Sequence, residues 1–70
     1  MAVVRAEMAG MVLKVCVAVG DTVGVDQDLA IIESMKMQIP VGSPQEGTVR
    51  QVFVTSDQFL NEGDPIVEIS

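Results

Sequence analysis

The chain has 70 residues, 49% apolar and 20% charged, with a net charge of −6, one cysteine and no histidine. That length makes one domain, residues 1–70, near the lower limit for burying a core without a staple. The lone cysteine excludes an internal disulfide, no Cys/His cluster offers a structural metal, and four scattered cations (Arg5, Lys14, Lys36, Arg50) form no patch for nucleic acid.

No apolar run reaches a bilayer span, because Met11 to Val19 is broken by Lys14 and ends at Gly20-Asp21. The N-terminus lacks the basic start and small-residue cleavage site of a signal peptide. With the single cysteine, this favours a cytoplasmic setting, and Met1 favours a free-standing protein. The acidic surface keeps a small domain soluble and is compatible with docking on a basic enzyme cleft.

Val and Ile dominate the apolar set, and the aromatic residues are Phe53 and Phe59. Branched side chains suit pleated sheets better than helices. No helical period is sustained; apolar residues alternate, or run briefly, between turn signals. In chain order the pattern predicts strands at Val3–Arg5, Met11–Val17, a short piece near Val23, Asp28–Glu33, Met37–Val41, Thr48–Val54, a short piece at Phe59–Leu60, and Pro65–Ile69. Gly10, Gly20-Asp21, Gly42-Ser43-Pro44, Gly47 and Gly63-Asp64 punctuate them. Cys16, between Val15 and Val17, is expected to be a buried, inert thiol. Asp21, Asp26 and Asp28 fit no regular calcium loop and read as solvated turn acids, so no metal is expected.

A repeat emerges at an offset of 37. Gly10, Val12, Val15 and Val17 fall on Gly47, Val49, Val52 and Val54; Val23, Leu29, Ala30 and Ile32 fall on Leu60, Ile66, Val67 and Ile69. Gly20 falls on Asp57, Asp26 on Gly63, and both residue types tolerate turn conformations. Two similar halves, neither able to bury its apolar face alone, imply two packed sheets. The expected fold is all-β: a flattened antiparallel sandwich or barrel with quasi-two-fold symmetry. Val41 falls on Val4, while Lys36 maps beyond the chain ends. The termini should therefore lie together at one end and Lys36 at the other.

Lys36 lies in Ser34-Met35-Lys36-Met37, a four-residue segment between the apolar arms Ile31-Ile32-Glu33 and Gln38-Ile39, which suits a tight hairpin. An amine there should be hydrated. It reads as an attachment point and not as a catalytic base. The ordinary readings are a solvated turn lysine, methionines that fill core gaps, and an exposed strand-end carboxylate at Glu33. The functional reading makes Met35 and Met37 an exposed recognition surface, with Glu33 and Ser34 contacts for a modifying enzyme. A Schiff-base enzyme would need Lys36 in a pocket, and the sequence offers no histidine, aromatic box or second lysine nearby. An unmodified binding module is the remaining rival.

These segments resemble the biotinyl/lipoyl carrier domains over nearly the whole chain. Glu7-Met8-Ala9-Gly10-Met11-Val12 is similar to the family's opening loop and strand, with Met8 where proline is frequent. Gly20-Asp21-Thr22-Val23 resembles its Gly-Asp-x-Val turn; Asp26 departs from a common glycine. Leu29 to Ile39 resembles the attachment hairpin, with Ser34 in place of a frequent alanine. Gly47-Thr48-Val49 and Asn61-Glu62-Gly63-Asp64 resemble the second half. There is no room for the protruding thumb of some bacterial carriers, and the likeness is to short, free-standing attachment proteins.

The resemblance implies a non-catalytic carrier with biotin joined to the Lys36 amine by a biotin protein ligase, through an activated adenylate. Its further partners would be biotin carboxylase and carboxyltransferase components, and the carrier itself would be a monomer. Lipoate, for acyl transfer in a 2-oxoacid dehydrogenase-type complex, is the alternative. Met35 and Met37 favour biotin, since lipoyl hairpins usually show Asp-Lys-Ala at these positions. The chemistry would belong to the cofactor and the partner enzymes.

Overall fold

The computed structural model describes Met1 to Ser70 and contains eight strands and no helix. They are β1 (Ala2–Arg5), β2 (Gly10–Val15), β3 (Thr22–Val23), β4 (Asp28–Ser34), β5 (Met37–Gly42), β6 (Gly47–Val52), β7 (Phe59–Leu60) and β8 (Pro65–Ile69). Two antiparallel four-stranded sheets form, in the orders β1-β8-β6-β3 and β5-β4-β2-β7. Moving 37 positions along the chain carries β1 onto β5, β3 onto β7, and β4 onto β8, so each sheet maps onto the other.

The core obeys the same relation. Val12, Val17, Val23, Leu29, Ala30 and Ile32 are buried with their mates Val49, Val54, Leu60, Ile66, Val67 and Ile69. Ala6 completes the buried apolar set, and its mate Ser43 is the one buried polar residue; the Ser43 hydroxyl donates to the Gln45 carbonyl. Burying these side chains is the main stabilisation available to a chain with no staple.

The turns repeat down to single hydrogen bonds. Ala18 N donates to Asp21 Oδ2 at 2.9 Å, and Thr55 N to Gln58 Oε1 at 3.1 Å. Gly24 N donates to Gln27 Oε1 at 3.0 Å, and Asn61 N to Asp64 Oδ2 at 2.9 Å. The expected exchange of Gly for Asp holds: φ is 97° at Gly20 and 71° at Asp57, 66° at Asp26 and 90° at Gly63. Asp26 therefore keeps the turn despite departing from glycine, since a short polar side chain tolerates the left-handed region. Amides there tie the halves together: Gly20 N donates to Val49 O at 2.9 Å and Asp57 N to Val12 O at 2.7 Å.

β-bulges explain where simple alternation fails. Register slips occur between Val12 and Lys14 in β2 and between Val49 and Gln51 in β6, again mates. A second pair of slips brings consecutive residues, Leu29-Ala30 and Ile66-Val67, into the core. The first slip corrects the expectation for Cys16. It turns Val15 and Val17 inward and leaves Lys14 and Cys16 outside, so the thiol is exposed. β2 and β6 also end at Val15 and Val52, two residues short of the predicted Val17 and Val54. Beyond these points Cys16 N to Leu29 O and Phe53 N to Ile66 O hold the strands briefly before the chain turns away.

The body measures 30 × 17 × 17 Å. Ala2 pairs with Ile69, and Gln45 Nε2 reaches Ser70 O at 3.4 Å, so both chain ends lie where β5 finishes. Lys36 lies where β5 begins, six residues away, roughly 20 Å at strand rise. The amine and the ends of the chain thus occupy opposite poles, as the repeat implied.

Candidate functional site

β4 and β5 pair from Asp28 with Gly42 up to Ser34 with Met37, leaving Met35 and Lys36 as the whole loop. The loop is two residues, not the four expected, because Ser34 and Met37 join the ladder. Both loop residues have positive φ, 54° at Met35 and 64° at Lys36. That is the signature of a type I′ turn, whose twist matches that of the strands. Such turns favour Asn and Gly; a side chain with a full Cβ in the left-handed region costs about 1–2 kcal/mol per residue. The hairpin sustains the strain by burying its stem. Ile32 and Ala30 are in the core, with Ile39 and Val41 opposite them.

The sequence-derived candidates come together at this tip in different roles. Met35 is 88% exposed and Met37 64%, so neither fills a core gap. Lys36 is exposed, and its amine takes part in none of the side-chain hydrogen bonds. Glu33 is exposed on the outer sheet face, paired with Met11 on one side and Gln38 on the other. Ser34 is half-buried, and its Oγ donates to the Ala9 carbonyl at 2.9 Å. That bond ties the hairpin to the segment joining β1 and β2, so the Ser34 hydroxyl is engaged in holding the tip.

Gly10 supplies a second anchor. A Cβ built there would lie 2.6 Å from the Glu33 carbonyl oxygen and 2.7 Å from Ile32 Cγ2. Only a hydrogen at that point lets β2 approach β4 so closely beneath the tip. The sequence pattern marks Gly10 as strand punctuation; its role is steric, and that is set by the neighbouring strand.

A solvated amine on a stiff, strained tip is suited to being acylated by another protein and unsuited to catalysis. Two surface concavities, of about 320 Å³ between β1 and β5 and about 520 Å³ beside β3 and β6, are not lined by Lys36. This removes the pocket that a Schiff-base lysine requires. For an amide-linked group such as biotin the fit is good. The linkage needs one accessible primary amine, and Lys36 presents it at the outermost point of the hairpin.

Residues 2–69 match the family model for the biotin/lipoyl domain, described as biotin-requiring enzyme. The chain is 43% identical over 67 residues to the biotin/lipoyl attachment protein of Bacillus subtilis, covering 96% of this chain and 92% of the relative. It is 45% identical over 65 residues to the biotin carboxyl carrier protein of Streptococcus mutans, covering 93% of this chain and 50% of the relative. Among solved structures, the urea carboxylase of Kluyveromyces lactis superposes with a TM-score of 0.92 at 29% identity, covering 99% of this chain and 6% of that one. The chain thus spans nearly all of one relative, half of another and a small part of a large carboxylase.

Proposed function

The chain belongs to the biotin/lipoyl attachment family, and we propose that it is a non-catalytic carrier holding biotin in amide linkage to Lys36. The observation that carries this is the tip itself. Lys36 is one of two lysines, stands on a two-residue turn, and is flanked by two thioethers exposed to solvent.

The residues divide the work. Lys36 Nζ, after giving up a proton, would attack the carboxyl carbon of biotinyl-adenylate, forming the amide C–N bond as the acyl–phosphate bond breaks and AMP leaves. Arginine cannot replace it, because a guanidinium is not a usable amine nucleophile at ordinary pH. Met35 and Met37 offer soft, adaptable surface on either side of the amine. Ser34 and Gly10 fix the direction in which the tip points, and the buried stem keeps the tip from yielding when an enzyme grips it. Bound biotin supplies a ring nitrogen that accepts a carboxyl group at one enzyme site and releases it at another. The sandwich contributes a rigid base and keeps the reactive group at high local concentration near its partners.

The partners we propose are a biotin protein ligase and the biotin carboxylase and carboxyltransferase components of a carboxylase, met by a monomeric carrier in the cytoplasm. Biotin is favoured over lipoate by the Met-Lys-Met centre and by the carboxyl carrier relative.

The test is direct. The domain is incubated with biotin, ATP and a biotin protein ligase, and the product is mapped by peptide mass. A single label on Lys36, lost in Lys36→Arg, is expected. A label on Lys14, or on the arginine variant, refutes the assignment. The intact mass of the protein from its own cell separates biotin from lipoate.

A further inference from the structure

We propose that Met8, Met11 and Phe59 extend the hairpin tip into a docking face on which the biotin-attaching ligase seats, a proposal that rests on Lys36 being the biotin attachment point. The register carries the first part of the argument. Phe59 pairs with Met11, Met11 with Glu33, and Glu33 with Gln38, so these four form one row across β7, β2, β4 and β5 beneath the tip. Phe59 is 57% exposed, Met11 39% and Met8 46%. Met8 joins the same end, one residue before the Ala9 carbonyl that Ser34 holds. The other exposed large apolar residues away from the tip, Met1, Val3, Val19, Val25 and Phe53, lie outside this row, with Val19 and Val25 in the turns flanking β3.

The internal repeat supplies a control. At an offset of 37, Phe59 corresponds to Thr22, Met11 to Thr48 and Met8 to Gln45. Thr22 and Thr48 pair with each other between β3 and β6, as Phe59 and Met11 do between β7 and β2. The same backbone setting therefore accepts two threonines at the pole that holds the chain ends. Folding does not require an apolar pair there, so the one near Lys36 is surplus to folding. Exposed apolar groups that folding does not require, gathered in a patch, mark a contact surface.

Geometry names the ligase as occupant. Before modification the amine stands only about 6 Å from its own Cα, at ~1.5 Å per bond. An enzyme acylating it must therefore close onto the hairpin, and cannot wait at the end of a long arm. A standard interface covers about 800 Å² per partner, a disc of roughly 16 Å radius. With strands about 4.8 Å apart, Phe59 lies about 10 Å across the sheet from Glu33, and Lys36 about 10 Å along the strand from it. The diagonal, about 14 Å, falls inside that disc. The complementary ligase surface has an apolar floor for Phe59 and Met11 and a cationic group facing Glu33 between them and the hairpin.

The test borrows the residues of the other pole. In the variant Met8→Gln, Met11→Thr, Phe59→Thr, folding is checked by thermal unfolding, and biotin transfer by a biotin protein ligase is followed against carrier concentration. The expected result is a KM raised at least about ten-fold with kcat retained, as for loss of a central aromatic anchor. An unchanged KM overturns the proposal. A second measurement needs no altered face. Isotope-labelled Lys36→Arg carrier is titrated with ligase, and the Met11 and Phe59 amides should shift while Thr22 and Thr48 do not; the reverse pattern also overturns it. If wild-type carrier is not labelled at Lys36 at all, it is the attachment assignment that fails. Labelling at Lys36 with KM unmoved refutes only the docking face.

Discussion

Gly10→Ala adds one methyl group at the point where β2 passes closest to β4. The added carbon would sit 2.6 Å from the Glu33 carbonyl oxygen and 2.7 Å from Ile32 Cγ2. The methyl of Ile32 can rotate away, but the carbonyl belongs to a ladder bounded by Met11 and Gln38 and cannot yield without moving β4. Overpacking of this kind costs about 1–3 kcal/mol. Replacing glycine also lowers the entropy of the unfolded chain, which returns about 0.4–1 kcal/mol. The net expectation is a loss of about 1–2 kcal/mol, out of a total stability of roughly 4–10 kcal/mol for a chain of this size. In a domain this small the melting temperature should fall by about 5–15 °C. Gly24→Ala is the control, because no atom lies within 4 Å of its Cβ position and its φ is not in the left-handed region. That variant should match wild type or exceed it by up to about 1 kcal/mol. Urea titration of both variants, with m unchanged, measures the difference. If Gly10→Ala proves as stable as Gly24→Ala, β2 and β4 do not approach as described, and the anchoring of the tip by Gly10 is wrong.

Met35→Asn should stabilise the domain by about 0.5–1 kcal/mol in urea, because asparagine tolerates the left-handed backbone better, while ligase labelling of Lys36 slows through loss of a thioether. A destabilised variant would mean that Met35 packs against something. Cys16 should react stoichiometrically with a chromogenic disulfide reagent in native buffer; protection until denaturant is added would return it to the interior. Leu29→Ala, at a fully buried bulge position, should cost about 2–5 kcal/mol and shift the urea midpoint by a large fraction of its value. A loss below about 1 kcal/mol would contradict the core assignment.

Six strands, with short pieces near Val23 and at Phe59–Leu60 to bring the count to seven or eight, the two related halves and the lysine hairpin are legible in the sequence. Each is written in local currency: branched residues in short runs, Gly and Asp at turns, and an apolar set recurring at an offset of 37. Such signals survive because a strand's inward face and a turn's backbone demand particular residues whatever lies across the sheet. The polarity of the molecule, with Lys36 and the chain ends apart, followed from the repeat by symmetry alone.

Other features have no local signature. The exposure of Cys16 turns on a bulge at Leu13, one extra residue that reverses which side chains face inward. Gly10 looks like any turn glycine until β4 is laid beside it. Ser34 reads as a surface hydroxyl until the Ala9 carbonyl is found 2.9 Å away. Met11 and Phe59 are 48 positions apart along the chain and become neighbours through the pairing of β2 with β7. Local pattern records what each residue prefers, and so it disclosed the strands, the repeat and the reactive amine. Which residues of distant segments meet is a matter of register and close approach, settled when the two sheets pack, and that step gave the tip its anchors and its apolar flank.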